Sequence, residues 1–312
     1  MRAYSHPLLK GLILLAVLLA LVAGLLFTPL GGWVVGGIGL AWRAFMGLPG
    51  IAWAREQMQT TPAVQETPGG AASAGSNSVR DLLESGFKLQ EEGKLEDALS
   101  QYRDALKLDE GYAPTHAALA SVYMQLGRED EALRELERAA ELAPDNAYIL
   151  RQLGALYLKR DEYEKSVAAL ERAKAAEPDE ARTRAMLGTA YYYRSQADVE
   201  KAVSELEKSV ELAPQDADAR FRLAMAYVRR DDSGDREKAI QSLEKVLDLD
   251  PSQSEVYYYL GLLHMRGGEQ EAAIAAWRRY VSVGKDQEAV EKVRSWLRGL
   301  EETQGATPEP TR

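Results

Sequence analysis

The chain has 312 residues, 46% of them hydrophobic and 28% charged, which allows one or two packed domains and is unlike a disordered composition. Its net charge of −10 is unevenly divided: residues 1–58 carry about +3, and the acidic remainder, with no run of Lys or Arg, excludes a nucleic-acid partner. Zero cysteines exclude disulfides, thiolate chemistry, zinc–thiolate sites and a lipidated amino-terminal Cys, without assigning a compartment.

Residues 1–55 read as a membrane region that opens with a transmembrane helix over about residues 8–28. No charged residue occurs from Gly11 to Trp42, and Leu8 to Phe27 supplies the roughly 20 apolar residues that a helix needs to cross about 30 Å of hydrocarbon. The rival is a cleaved signal peptide with Val22-Ala23-Gly24 as its small-residue site, but the apolar stretch continues well past that site. The basic flank Arg2, His6 and Lys10 predicts a cytoplasmic amino terminus, with the rest of the chain outside, periplasmic in a bacterial inner-membrane protein.

The apolar segment 30–54 has two paths open to it. As a second span, Trp33 to Trp53 would return the rest of the chain to the cytoplasm, but Arg43 would then sit near the bilayer centre at a cost of roughly 2.5–3.5 kcal/mol. Gly47, Pro49 and Gly50 also break the helix, which favours an interfacial or re-entrant path. Ala16, Ala20, Gly24, Thr28, Gly32 and Gly36 recur every fourth residue, a spacing that suits close helix packing in a homo-oligomer or against a membrane partner. Chance spacing in an Ala- and Gly-rich span is the alternative. Residues 56–78, rich in Pro, Gly, Ala, Ser and Thr without apolar period, read as a flexible linker.

From residue 79 the chain repeats itself. Leu142-Ala143-Pro144, Glu177-Pro178, Leu212-Ala213-Pro214 and Leu249-Asp250-Pro251 recur at intervals of 34, 36 and 37 residues. In a first helix, a small residue precedes an aromatic by three positions: Ala120 and Tyr123, Gly154 and Tyr157, Gly188 and Tyr191, Ala224 and Tyr227. A second helix carries a small–large–small set, such as Ala98, Tyr102 and Ala105 or Ala132, Leu136 and Ala139. Small residues belong where paired helices cross closely, large ones fill the space between them, and Pro stops the second helix. Six units follow over 79–287, with inner turns lengthened around Ser195–Glu200 and Asp231–Arg236, then a capping helix over 288–302 and a disordered tail over 303–312. In the cap, Val290, Val293, Leu297 and Leu300 share one face and Trp296 seals the core.

This pattern, including Leu-Gly at Leu153-Gly154, Leu187-Gly188 and Leu260-Gly261, resembles the tetratricopeptide repeat, and with the amino-terminal anchor it is similar to bacterial membrane-anchored scaffold proteins of that type. The resemblance implies an all-α solenoid, a right-handed superhelix of helix–turn–helix units, that binds protein or peptide partners in a concave groove lined by the first helices. Tyr191 fills the repeat's aromatic position, and three consecutive helical residues span about 200°, so Tyr192 and Tyr193 are left to face the groove. The same reasoning adds Tyr258 and Tyr259, and equivalent positions add Met124, Tyr148, Met186, Phe221, Met225 and Met265. Inter-repeat packing is the competing role for each. Groove positions Arg151, Lys159, Arg182, Arg222 and Arg229, opposed by Asp218 alone, suit a partner segment that bears carboxylates; the alternative is that these side chains lie over helix surfaces and pair with nearby Glu. The carboxylate clamp of one chaperone-binding subgroup is missing, because Leu83, Phe87, Ala118, Tyr148 and Gln152 stand at its positions.

Nothing points to catalysis, a cofactor or a metal. His6, His116 and His264 lie on separate segments, the last two at packing positions, and no nucleophile elbow, zinc or calcium motif appears. The expected role is a membrane-anchored interaction scaffold; the alternative is a structural or assembly subunit of a larger membrane complex, held through its membrane segment.

Overall fold

The computed structural model describes residues 78–305 of the chain. The expected transmembrane helix, the 30–54 segment, the ladder from Ala16 to Gly36 and nearly all of the linker lie outside the described residues. No helix among the described residues is long and apolar enough to cross a membrane.

Those residues form helices and turns, with no strand. Helices α1 (Val79–Glu91) and α2 (Leu95–Leu108), α3 (Ala113–Gln125) and α4 (Glu129–Leu142), α5 (Ala147–Lys159) and α6 (Tyr163–Ala176), α7 (Ala181–Arg194) and α8 (Val199–Leu212), α9 (Ala217–Arg230) and α10 (Asp235–Leu249), and α11 (Ser254–Arg266) and α12 (Gln270–Val283) follow as hairpins. A last helix, α13, runs over Gln287–Gly305, into the stretch expected to be tail. The chain divides into two compact units between Leu153 and Gly154, within α5. In the first unit each helix from α1 to α4 packs on the next, and in the second each helix from α6 to α13 does.

Local chemistry sets the element ends. Ser78 caps α1 in a reciprocal box: its hydroxyl accepts from Asp81 N–H at 3.2 Å, and the Asp81 carboxylate accepts from Ser78 N–H at 3.0 Å. Pro144, Pro178, Pro214 and Pro251 each stand two residues past the end of α4, α6, α8 and α10, where a missing N–H stops further helix. Four inner turns pass through one left-handed residue, Gly93, Gly127, Asp161 or Gly268, with φ of 75°, 73°, 59° and 76°. The next N–H then bonds back to the first helix, as from Arg128 to Tyr123 O at 2.8 Å and from Glu162 to Tyr157 O at 2.9 Å, which satisfies carbonyls that the helix end orphans.

The two longer inner turns are closed by ion pairs. Arg194 meets Asp198 through two hydrogen bonds of 2.8 and 2.7 Å, with a 3-10 turn over Gln196–Asp198 between the helices. Arg230 grips the buried Asp235 in the same way, at 2.8 and 2.7 Å. A planar guanidinium on a carboxylate gives a defined geometry that a longer loop otherwise lacks.

Within hairpins, helices approach closely at the small residues. A Cβ on Gly154 would lie 2.5 Å from Leu170 Cγ, and one on Gly188 would lie 2.7 Å from Leu206 Cγ and 3.0 Å from the Ala202 carbonyl oxygen. Gly86 faces Tyr102, and Gly261 faces Trp277, with equally little room. Tyr102 and Trp277 are in consequence almost fully buried, and Trp277 centres a terminal core with Tyr280, Val290, Val293 and Leu297.

Candidate functional site

Three of the groove residues predicted from sequence, Met124, Tyr148 and Arg151, belong to the first unit, and the others belong to the second. Met124, Tyr148 and Met186 are each only 8% exposed, so their side chains serve the packed interior and offer a partner little surface. Arg151 is half-buried and lies 5.7 Å from the Tyr148 ring, and Arg182 is half-buried at the start of α7.

The remaining aromatic residues come together in the second unit as an array of half-buried rings. Tyr193 stacks on Tyr163, the first residue of α6, with centroids 5.6 Å apart, and meets Tyr192 edge-on at 5.0 Å. Phe221 meets Tyr259 at 5.6 Å, Tyr259 meets Tyr258 at 5.4 Å, and Tyr258 meets Tyr280 at 5.5 Å. Trp296 of α13 completes the array between Tyr258 and Trp277, which lie 6.2 and 5.3 Å away. Tyr192, Phe221, Met225 and Tyr259 pack against the core of α8 to α11, whereas Tyr258 and Met265 pack against the terminal core. Tyr280 and Trp277 are buried, whereas the other rings of the array pack in part against a core and keep part of their surface exposed. Such edge-to-face and offset pairs are worth about 0.5–1.5 kcal/mol beyond buried area.

Cations complete the surface. The Arg229 guanidinium lies 4.6 Å from the Tyr192 ring centroid and also donates to the Tyr192 carbonyl. It is held there by Gln196: Arg229 Nε donates to Gln196 Oε1 at 3.0 Å, and Gln196 Nε2 donates to the Arg229 carbonyl at 3.2 Å. The lengthened fourth turn thus has a second effect, since its Gln196 aims an arginine from two helices away. Burial pushes the Tyr193 phenol up to about 12, with Tyr192 adding to the rise and the Arg222 and Arg229 charges opposing it. Burial also raises Tyr259, and the phenols of Tyr192, Tyr258 and Tyr193 add to that rise. At neutral pH the surface carries protonated phenols and guanidinium groups around apolar ring faces, with the Asp161 and Glu255 carboxylates acting on Tyr193 and Tyr259.

A separate set of contacts repeats at the aromatic position itself. Tyr191 and Tyr227 donate to Glu171 and Glu207 at 2.5 and 2.6 Å, each carboxylate standing 20 residues earlier on the preceding second helix. Their rings are covered by Arg194 and Arg230 at 4.9 and 5.4 Å, as Arg128 covers Tyr123 at 4.8 Å. These residues tie hairpin to hairpin. The two histidines of this region also make local contacts: His116 Nδ1 lies 2.6 Å from Glu135, and His264 Nδ1 lies 2.6 Å from Glu269.

The profile of the cytochrome c-type biogenesis protein H tetratricopeptide domain matches residues 155–289, and a general tetratricopeptide-repeat profile matches residues 89–149. This chain is a tetratricopeptide-repeat protein. Solved structures of similar fold include MamA from Desulfovibrio magneticus RS-1, 24% identical with a TM-score of 0.52, over 57% of this chain and 98% of that one. PilF of Pseudomonas aeruginosa is 18% identical with a TM-score of 0.59, over 70% of this tetratricopeptide-repeat chain and 96% of its own. YrrB, described as having an unusual peptide-binding site, is 23% identical with a TM-score of 0.52, over 58% of this chain and 91% of its own. At these identities the likeness is one of fold. No curated protein matches the chain.

Proposed function

We propose that this protein is a membrane-tethered adaptor that captures polypeptide segments during the assembly of c-type cytochromes, with the second unit as the capturing module. The observation that carries this reading is the match of the biogenesis-protein profile to residues 155–289, which lie within the second compact unit. The ring array lies wholly within that stretch and its cap. Aromatic surface of this kind supplies large contact area from side chains with few rotors, which suits capture of a flexible segment. Tetratricopeptide repeats as a class mediate protein–protein interaction. The tether rests on the uncharged run from Gly11 to Trp42 and its basic flank.

The test is removal of the protein from its own cells, followed by measurement of cytochromes that carry covalently attached haem. The expected result is a marked loss that the full chain restores. Unchanged cytochrome content in cells lacking the chain would sink the assembly role.

A further inference from the structure

In the second unit many arginines on the helix surfaces are matched to an acidic group. Arg184 pairs with Glu205 at 2.8 Å, Arg194 with Asp198 at 2.7 Å, Arg230 with Asp235 at 2.7 Å and Arg266 with Asp231 at 2.5 Å. Two arginines beside Tyr193 are not so matched. Arg222 and Arg229 form no ion pair among the described residues, although the protein carries a net charge of −10 and acidic side chains are abundant. Arg229 is nevertheless held in place by Gln196 and by the Tyr192 ring, at 3.0 and 4.6 Å. A guanidinium that is fixed without a carboxylate keeps a charge that no ion pair neutralises. The neighbouring Tyr193 and Tyr259 hydroxyls make no hydrogen bond among the described residues, and protonated phenols add donors to the same surface.

We infer that Arg222 and Arg229, with the Tyr193 and Tyr259 phenols, form a receptor for a carboxylate on the captured polypeptide, the ring array taking the apolar residues that flank it. This inference rests on the proposed capture of polypeptide segments and names the chemistry of the segment. Two guanidinium charges disfavour Lys- and Arg-rich segments by repulsion and favour Asp or Glu as the side chains that satisfy them, while Asp161 and Glu255 bound the site through their effect on the Tyr193 and Tyr259 phenols. It also narrows the basic groove predicted from sequence, since Arg151 lies against Tyr148 and the paired arginines are already satisfied. Charge-assisted bonds from guanidinium to carboxylate are the strongest available to such a site.

The experiment selects ligands for the full chain in detergent from a displayed library of random 12-residue peptides. The selected peptides should carry Asp or Glu next to aliphatic or aromatic residues. A synthetic selected peptide is then compared with its Asn/Gln counterpart on wild type, Arg222→Gln and Arg229→Gln. Each substitution should weaken the acidic peptide about tenfold and leave the amide peptide unchanged, with unaltered thermal unfolding to show that the fold is intact. Selected peptides without carboxylates, or equal losses for both peptides, would overturn the receptor while leaving polypeptide capture standing. A selection that yields no binder would overturn both.

Discussion

Where the next four repeats end their second helix with Pro, the first hairpin ends in Asp109-Glu110-Gly111, and two side chains supply the stop. Asp109 accepts from Gly111 N–H at 2.9 Å in a local turn, and His116 Nε2 lies 3.0 Å from the Glu110 carbonyl oxygen. The other ring nitrogen faces the Glu135 carboxylate at 2.6 Å. Neither oxygen can donate, so both contacts are hydrogen bonds only when the ring carries both protons. Burial of the 6% exposed ring disfavours its charge, but the Glu135 carboxylate and the Glu110 carbonyl outweigh that and the opposing Arg138, and the pKa is raised. The folded state therefore holds the proton more tightly than the unfolded chain, whose value is about 6.5. Stability from this contact is complete below about pH 6.5 and is lost as pH rises through the elevated value. The urea midpoint of the wild type should fall across that window and that of His116→Gln should stay level there; parallel profiles would show that His116 is not linked to folding.

At the scale of elements, glycine has opposite meanings at two helical positions. In α7, Gly188 sits against the Leu206 side chain and, at 3.0 Å, the Ala202 carbonyl oxygen, which cannot rotate away. Gly188→Ala should destabilise the second unit by about 1–3 kcal/mol, as overpacking does. In α13, a Cβ at Gly299 meets nothing within 4 Å, so Gly299→Ala should stabilise by about 0.5–1 kcal/mol through reduced backbone freedom in the unfolded chain. Urea titration of both variants checks the pair, and equal shifts would contradict the packing described. These positions also mark what is legible in sequence. The hairpin repeat is local: small residue, aromatic, small residue and Pro recur within one period, so it can be read without a structure. Gly86 stands at the same position as Gly154, Gly188 and Gly261, and the period alone could have found it.

The direction of Tyr192 and Tyr193 is a different kind of fact. Helical spacing separates them from Tyr191, which is buried and bonded to Glu171, but it carries no information about what occupies the space beside them. That space is filled by Tyr163, 30 residues earlier, and by Arg229, later by more than one repeat. Gln196 was invisible because it lies in an insertion that matches no other repeat. Consequently a surface predicted as open is partly a packing layer, and its availability is set by ring edges, hydroxyls and two arginines.

For the whole molecule, charge and hydropathy divide the work along the chain. The described region is acidic and has no membrane-spanning helix, whereas residues 1–58 are apolar and carry about +3. If Leu8 to Phe27 spans the bilayer, its burial of some 20 apolar residues holds the protein far more firmly than surface electrostatics could. The full chain should then remain in the membrane pellet after alkaline carbonate and high salt, and a chain lacking residues 1–58 should be released. Salt-extractable full chain would rule out a spanning anchor. Side is decided separately by a reporter fused after Arg312. An interfacial path for residues 30–54 leaves Arg43 at the headgroups and predicts reporter activity outside the cytoplasm. A second span reverses that result, and with it the set of polypeptides that the ring array can meet.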